Sequence, residues 1–180
     1  MCCDLRGFTA FSAATDSKQV IQILRDYYDM VGTAAANVGG TIKDQAGDGV
    51  LVLIGAPIWF NDHARRALEL ARQIRQGGIA LIARLSTHQL QLGVGVGVAS
   101  GFVTVGVIGA ASRLEYTAVG PAVNLASRLC SEAAHAEVLV DERSNELLAS
   151  TGVPAALQIR EPLTLKGFAR PVPNFVLESA

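Results

Sequence analysis

The stretch TIKDQAGDGVLVLI at 41–54 places two apolar, β-branched runs, Thr41-Ile42-Lys43 and Val50-Leu51-Val52-Leu53-Ile54, around Gln45-Ala46-Gly47-Asp48-Gly49. Gly47-Asp48-Gly49 supplies the turn chemistry of a β-hairpin, and Gly55-Ala56-Pro57 closes its second strand. Upstream, Val20, Ile23, Leu24, Tyr27 and Val31 recur at intervals of three and four, which predicts a helix over 17–31. Asp16 or Ser17 would cap it, Gly32 would loosen its end and Gly39-Gly40 would break the chain. Downstream, Ala64, Ala67, Leu68, Ala71 and Ile74 form the apolar stripe of a helix over 62–76, stopped at Gly77-Gly78. A second hairpin is expected from 90–99 and 102–108, turning at Ser100-Gly101. Pro121 opens a helix over 121–133. A strand at 137–140, an Asp141-capped helix over 142–148 and short strands near 156–159 and 172–177 complete the chain. Helices alternating with antiparallel hairpins predict an α+β fold, a mixed and mainly antiparallel sheet with packed helices, as one domain over 1–180.

Composition narrows the function classes. Lys+Arg 15 against Asp+Glu 16 leaves a net charge of −1, which argues against broad attraction to a nucleic acid polymer. Cys2, Cys3 and Cys130 have neither a disulfide framework nor zinc spacing, so they read as structural thiols in a reducing compartment. Asp4 and Arg6 interrupt the start too early for a signal peptide, and the glycine-studded stretch over 93–111 reads as strands rather than a membrane span. Because Asp4 follows the start so closely, the first strand is expected to be truncated.

Two carboxylates stand on turns. Asp4 is expected just after a strand end, in Cys3-Asp4-Leu5-Arg6-Gly7-Phe8-Thr9, where Gly7 permits a tight turn and successive N–H groups would cradle phosphate. Asp48 lies in the hairpin turn. Each alone is ordinary turn chemistry. Together at strand ends they could hold hard cations, with substrate phosphates supplying the remaining oxygens. Asn124 and Arg128 are four apart, so they share one helix face, opposite Val123, Leu125, Ala126 and Leu129. They could be a plain surface pair, or fix a sugar and stabilise a phosphoryl group gaining charge. Lys166, before Gly167, is a strand-end charge that an anionic ligand could approach.

These blocks in order resemble the class III adenylate and guanylate cyclase catalytic domain. They are Asp4-Leu5-Arg6-Gly7-Phe8-Thr9, Gly47-Asp48-Gly49, the run from Tyr116 through Thr117 and Asn124 to Leu129, and Leu165-Lys166-Gly167, with Asp62-His63-Ala64 on the family's second long helix. The resemblance implies a ferredoxin-like cyclase fold and a phosphorus–oxygen lyase that closes ATP to 3′,5′-cyclic AMP and pyrophosphate. It implies two Mg2+ or Mn2+ per active site on Asp4 and Asp48, and a phosphate cradle at Leu5, Gly7, Phe8 and Thr9. Asn124 would orient the ribose, Arg128 would stabilise the transition state and Lys166 would hold the triphosphate. It also implies a homodimer in which Asp4 and Asp48 face Asn124, Arg128, Lys166 and Thr117 of a second copy, under an upstream sensor or regulatory domain. The expected location is cytoplasmic, free or as the cytosolic part of a membrane-anchored protein, with no membrane insertion of this segment.

Three positions depart from the family pattern. Asp44 stands where adenylate cyclases carry a base-reading lysine and guanylate cyclases a glutamate, with Lys43 beside it. A one-residue β-bulge would return Lys43 to the pocket. Thr117, the companion base-reading position, agrees with bacterial adenylate cyclases. Gly95 replaces an arginine frequent near the phosphates, and Pro121 an acidic or amide residue. The alternatives are a guanylate cyclase acting on GTP and a catalytically weak, cyclase-like regulatory domain. His63, His88 and His135 lack a mutually supportive spacing, and Tyr27 and Tyr28 read as core or dimer packing.

Overall fold

The computed structural model describes residues 1–85, 92–110, 112–152 and 155–178, with the side chains at 44–46 and 113 outside the described set; His88 therefore lies outside it. The chain order is β1 (Cys2–Arg6), α1 (Phe8–Ala14), α2 (Ser17–Asn37), β2 (Thr41–Ala46), β3 (Gly49–Leu53), α3 (His63–Arg84), β4 (Gly93–Val98), β5 (Thr104–Ala110), β6 (Arg113–Val119), α4 (Pro121–Glu132), β7 (Glu137–Asp141), α5 (Glu142–Ala149), β8 (Leu157–Leu163) and β9 (Val172–Leu177). Seven strands form a sheet in the order β2-β3-β1-β4-β7-β9-β8, antiparallel except for the β4–β7 pair. This is the α+β, mainly antiparallel architecture expected from the sequence.

The strand β4 explains how the layers meet. Its Gly-Val-Gly-Val-Gly-Val alternation sends Val94, Val96 and Val98 into the main core shared with α2 and α3. The glycines face the other way, where helix α4 lies so close that a Cβ on Gly97 would strike the backbone of Ala126 and Cys130. Strand β7 alternates in the same way: Val138 and Val140 join the main core, while Leu139 packs with Leu129, Ala133 and Leu165. The sheet is therefore covered on both faces, by α2 and α3 on one and α4 on the other.

Several boundaries differ from expectation. Helix α3 runs through Gly77 and Gly78 because both are packing positions: a Cβ on Gly77 would meet Met30, and one on Gly78 would meet Val94. Helix α2 likewise passes Gly32 and continues to Asn37. The second hairpin does not turn at Ser100-Gly101; β4 pairs with β1 and β7, and β5 pairs instead with β6 in a separate two-stranded sheet. Asp4 is inside β1, which continues to Arg6, so the tight turn begins at Gly7.

Candidate active site

Strand β1 lies between β3 and β4, and its alternation sorts the residues around Asp4. Cys3 and Leu5 are buried in the main core, where Tyr27 Oη donates to Cys3 Sγ at 3.3 Å. Cys2, Asp4 and Arg6 point to the α4 face. Cys3 pairs with Val50 and Asp4 with Gly95, so continuing the first register places the Gly47-Asp48 turn beside the end of β1. Burial raises the Asp4 pKa first; the Arg6 guanidinium opposes that shift, and the charge of Asp48 raises it further. The two predicted carboxylates are thus brought within electrostatic reach of each other.

Tyr28, on α2, anchors the Asp48 turn by donating its hydroxyl to Gly47 O. Partial burial and the Asp48 charge hold the Tyr28 pKa above its ordinary value. Sequence reading missed this role. The only available signal was two adjacent tyrosines: Tyr27 falls on the buried stripe of α2 and Tyr28 beside it.

The donor set fits hard cations. Asp4 Oδ1 is buried without a hydrogen-bond partner, although Arg6 Nη2 lies 3.0 Å away. A carboxylate oxygen held in this way has acceptor capacity for an additional ligand. Among the described residues no group of three or more His, Cys, Asp or Glu could hold a metal, so two carboxylates alone would leave most coordination positions to substrate oxygens. Cys130 borders Asp4 and Arg6 as a buried thiol, and Cys3 faces the core. Cys3 and Cys130 are buried, and burial pushes the Cys3 thiol up to about 12, which leaves it inert.

After Asp4 and Leu5 the chain turns through Gly7, whose φ of 71° is left-handed, and Phe8 starts α1. Phe8 packs against the main core and Phe11, while Thr9 is exposed. The first intrahelical bond is Phe11 N–H to Gly7 O, so the N–H groups of Phe8 and Thr9 have no partner within the helix.

Asn124 and Arg128 both lie on the exposed face of α4, while Ala126, Leu129 and Cys130 are buried. Among the described residues no hydrogen bond or ion pair joins Asn124 or Arg128 to Asp4 or Asp48. Within one chain the carboxylate pair and the Asn/Arg pair therefore stay apart. Lys166 is exposed in the turn after β8, where Gly167 takes a φ of 89°.

The positions expected to read the base differ in how the structure places them. The β2–β3 register shifts between Ile42 and Asp44, so Lys43 is the extra residue of a bulge. Its side chain is only 6% exposed, and Nζ lies 3.6 Å from Glu115 Oε2. Glu115 and Thr117 are two apart on β6 and share a strand face, so Lys43 is directed to the face that carries Thr117. The Asp44 side chain lies outside the described residues; its backbone pairs with Leu51. An apolar cavity of about 440 Å3, bordered by Met1, Leu53, Trp59, Phe102 and Val123, opens at the other end of β1 and contains none of the predicted site residues.

Residues 1–179 match the family described as the adenylate and guanylate cyclase catalytic domain. The chain belongs to that family. An uncharacterised Mycobacterium tuberculosis protein is 31% identical over 93% of this chain, which spans 29% of that protein. The adenylate cyclase of Anabaena cylindrica is 33% identical over 71% of this chain and 25% of its own length. This cyclase domain therefore spans less than a third of those curated relatives. Among solved structures, the adenylyl cyclase CyaB from P. aeruginosa has a TM-score of 0.89 at 29% identity, covering 99% of this chain and 92% of that one. The guanylyl cyclase Cya2 has a TM-score of 0.79, also at 29% identity, covering 98% and 88%. Similar cyclases thus carry both names, and family membership does not choose the base. No helix among the described residues is long and apolar enough to cross a membrane.

Proposed function

We propose that this domain is an adenylate cyclase that converts ATP to 3′,5′-cyclic AMP and pyrophosphate at sites shared between two copies. The observation that carries it is the convergence of Asp4, whose buried Oδ1 is ion-paired with Arg6 but not hydrogen-bonded, and Asp48, while Asn124 and Arg128 stay on a separate outer face. Two such half-sites become one active site when the α4 face of a second copy meets the carboxylates of the first. The β5–β6 hairpin supports pairing, since Val105, Val107, Ile108, Leu114 and Val119 are exposed apolar residues on it.

In this reading Asp4 and Asp48 would hold two magnesium or manganese ions. Such ions supply positive charge that eases loss of the ribose 3′-OH proton and balances the triphosphate. Leu5 and the N–H groups following Gly7, at Phe8 and Thr9, cradle the β and γ phosphates. From the second copy, Asn124 orients the ribose and Lys166 holds the triphosphate. As the 3′ oxygen attacks the α-phosphorus and pyrophosphate leaves, the Arg128 guanidinium donates to the phosphoryl oxygens gaining charge.

Preference for ATP is supported by the bulge that turns Lys43 toward the Thr117 face. Cyclisation of GTP is the second reading, favoured by the acidic residue at 44. Initial rates with ATP and GTP, in Mg2+ and in Mn2+, at several protein concentrations test the assignment. Metal-dependent cyclic AMP formation, with rate per subunit rising with concentration until dimer saturates, is the expected result. A strong GTP preference would reverse the base assignment. Absence of both products at concentrations where the protein is dimeric would leave the weak regulatory domain.

A further inference from the structure

Arg6 belongs to neither half-site, yet it touches Asp4 of one and the last turn of the helix that carries the other. Its Nη2 lies 3.0 Å from Asp4 Oδ1. The same guanidinium donates from Nη2 to Cys130 O, and from Nη1 to Ser131 O at 3.3 Å, in the last turn of α4. The C-terminal carbonyls of a helix carry partial negative charge and lack intrahelical donors, so a guanidinium there is favourable. The room for it comes from Gly95, opposite Asp4 on β4: a Cβ built there would lie 2.6 Å from Arg6 Nε and 2.9 Å from Cζ. Any larger residue at 95 would drive the guanidinium away.

The pairing is incomplete on both sides. Asp4 Oδ1 and Arg6 Nε are both buried without a hydrogen-bond partner. Arg6 therefore neutralises Asp4 without saturating it, while its hydrogen bonds go to α4, the helix that carries Asn124 and Arg128. We propose that Arg6 is a positioning residue that acts as the resident counter-ion of Asp4 before a cation arrives and ties that carboxylate to the end of α4. The proposal rests on Asp4 being a metal ligand, as read above. A positive charge this close to the ligand oxygen disfavours a divalent cation, so Arg6 sets how tightly the site takes metal. It also links, within one subunit, the carboxylates of one shared site to the Asn/Arg pair of the other.

The test measures Mn2+ binding to the nucleotide-free protein by the electron paramagnetic resonance signal of free Mn2+, with thermal melts on the same samples. The proteins are the unsubstituted chain, R6Q, R6K and D4N. Arg6→Gln removes the charge but keeps a planar amide donor for the α4 carbonyls. Its Mn2+ affinity is expected to rise about three- to tenfold, the scale of one unit charge removed a few ångströms from a dication in a partly solvated site. Arg6→Lys keeps the charge and loses the fork, so its affinity should stay within about twofold of the parent while its melting temperature falls. A residue that merely braced α4 would move the melting temperatures alone. Unchanged or weaker Mn2+ binding in R6Q, with D4N losing Mn2+, overturns the role of Arg6 and leaves the metal assignment standing. Parental Mn2+ binding in D4N overturns the metal assignment and this inference with it.

Discussion

The Tyr28 hydroxyl reaches the backbone of the Asp48 turn from helix α2. Its hydrogen bond to Gly47 O ties α2 to that turn, where a Cβ placed on Gly47 would meet only open space. Tyr28→Phe keeps the ring and its packing and removes only the bond, worth about 1 kcal/mol. If Asp48 depends on that turn, kcat should fall about fivefold and the half-saturating Mn2+ concentration should rise, with the melting temperature lower by no more than about 2–4 °C. Steady-state kinetics against Mn2+ check this; an unaltered metal dependence would make Tyr28 a surface ornament of the turn. The neighbouring Tyr27 is a different case despite adjacency: it is fully buried against Cys3, so its loss would be a folding defect rather than a kinetic one.

At the level of elements, the contact between β4 and α4 sets the position of the Asn/Arg helix over the sheet. Gly97→Ala would place a methyl group against backbone atoms of α4, which cannot rotate away. The cost should be about 1–3 kcal/mol, read as a lower urea midpoint with an unchanged denaturant slope. A second device is Asp141, buried at the start of α5, accepting from Ser144 N–H at 3.0 Å and from Ser100 N–H at 3.2 Å. Burial, only partly opposed by those bonds, raises its pKa. The folded form then holds a proton that the unfolded chain has released, so this residue's contribution to stability falls as pH rises from about 4, the ordinary carboxylate value, through the raised folded value. Asp141→Asn lacks that dependence. Its melting temperature relative to the parent should become more positive across that window and level off above it, as melts from about pH 4 to 8 would show.

For the whole molecule, the decisive property is that the carboxylate pair and the Asn/Arg pair do not meet within one chain. If two copies share sites, D4N and R128A should each lose at least about a hundredfold in kcat, the scale of removing a charged group from a transition-state site. Mixing the two should restore activity, because one of the two sites in a mixed dimer then has both intact halves. The ceiling is about a quarter of the parental rate per subunit, since random pairing makes half of the dimers mixed. Gel filtration with activity assays of the mixture tests this, and absence of recovery despite mixed-dimer formation would place a complete site in one chain.

The local geometry was legible from the sequence because it depends on spacing along one element. The four-residue interval of Asn124 and Arg128 fixes their shared exposed face, the glycine at 7 permits the turn, and Gly47-Asp48-Gly49 forms the hairpin end. Element partners were less accessible. A strand's pattern shows which side is apolar but not which strand lies next to it, so β4 was matched to β5 when it pairs with β1 and β7. Likewise Gly77-Gly78 reads as a helix stop until Met30 and Val94 are brought against it. Only tertiary structure decided that Lys43 bulges toward Glu115, that Tyr28 holds the Asp48 turn and that Arg6 occupies the space above Gly95. Those relations arise between residues distant in sequence, where no short-range periodicity records the volume or the charge that each must accommodate.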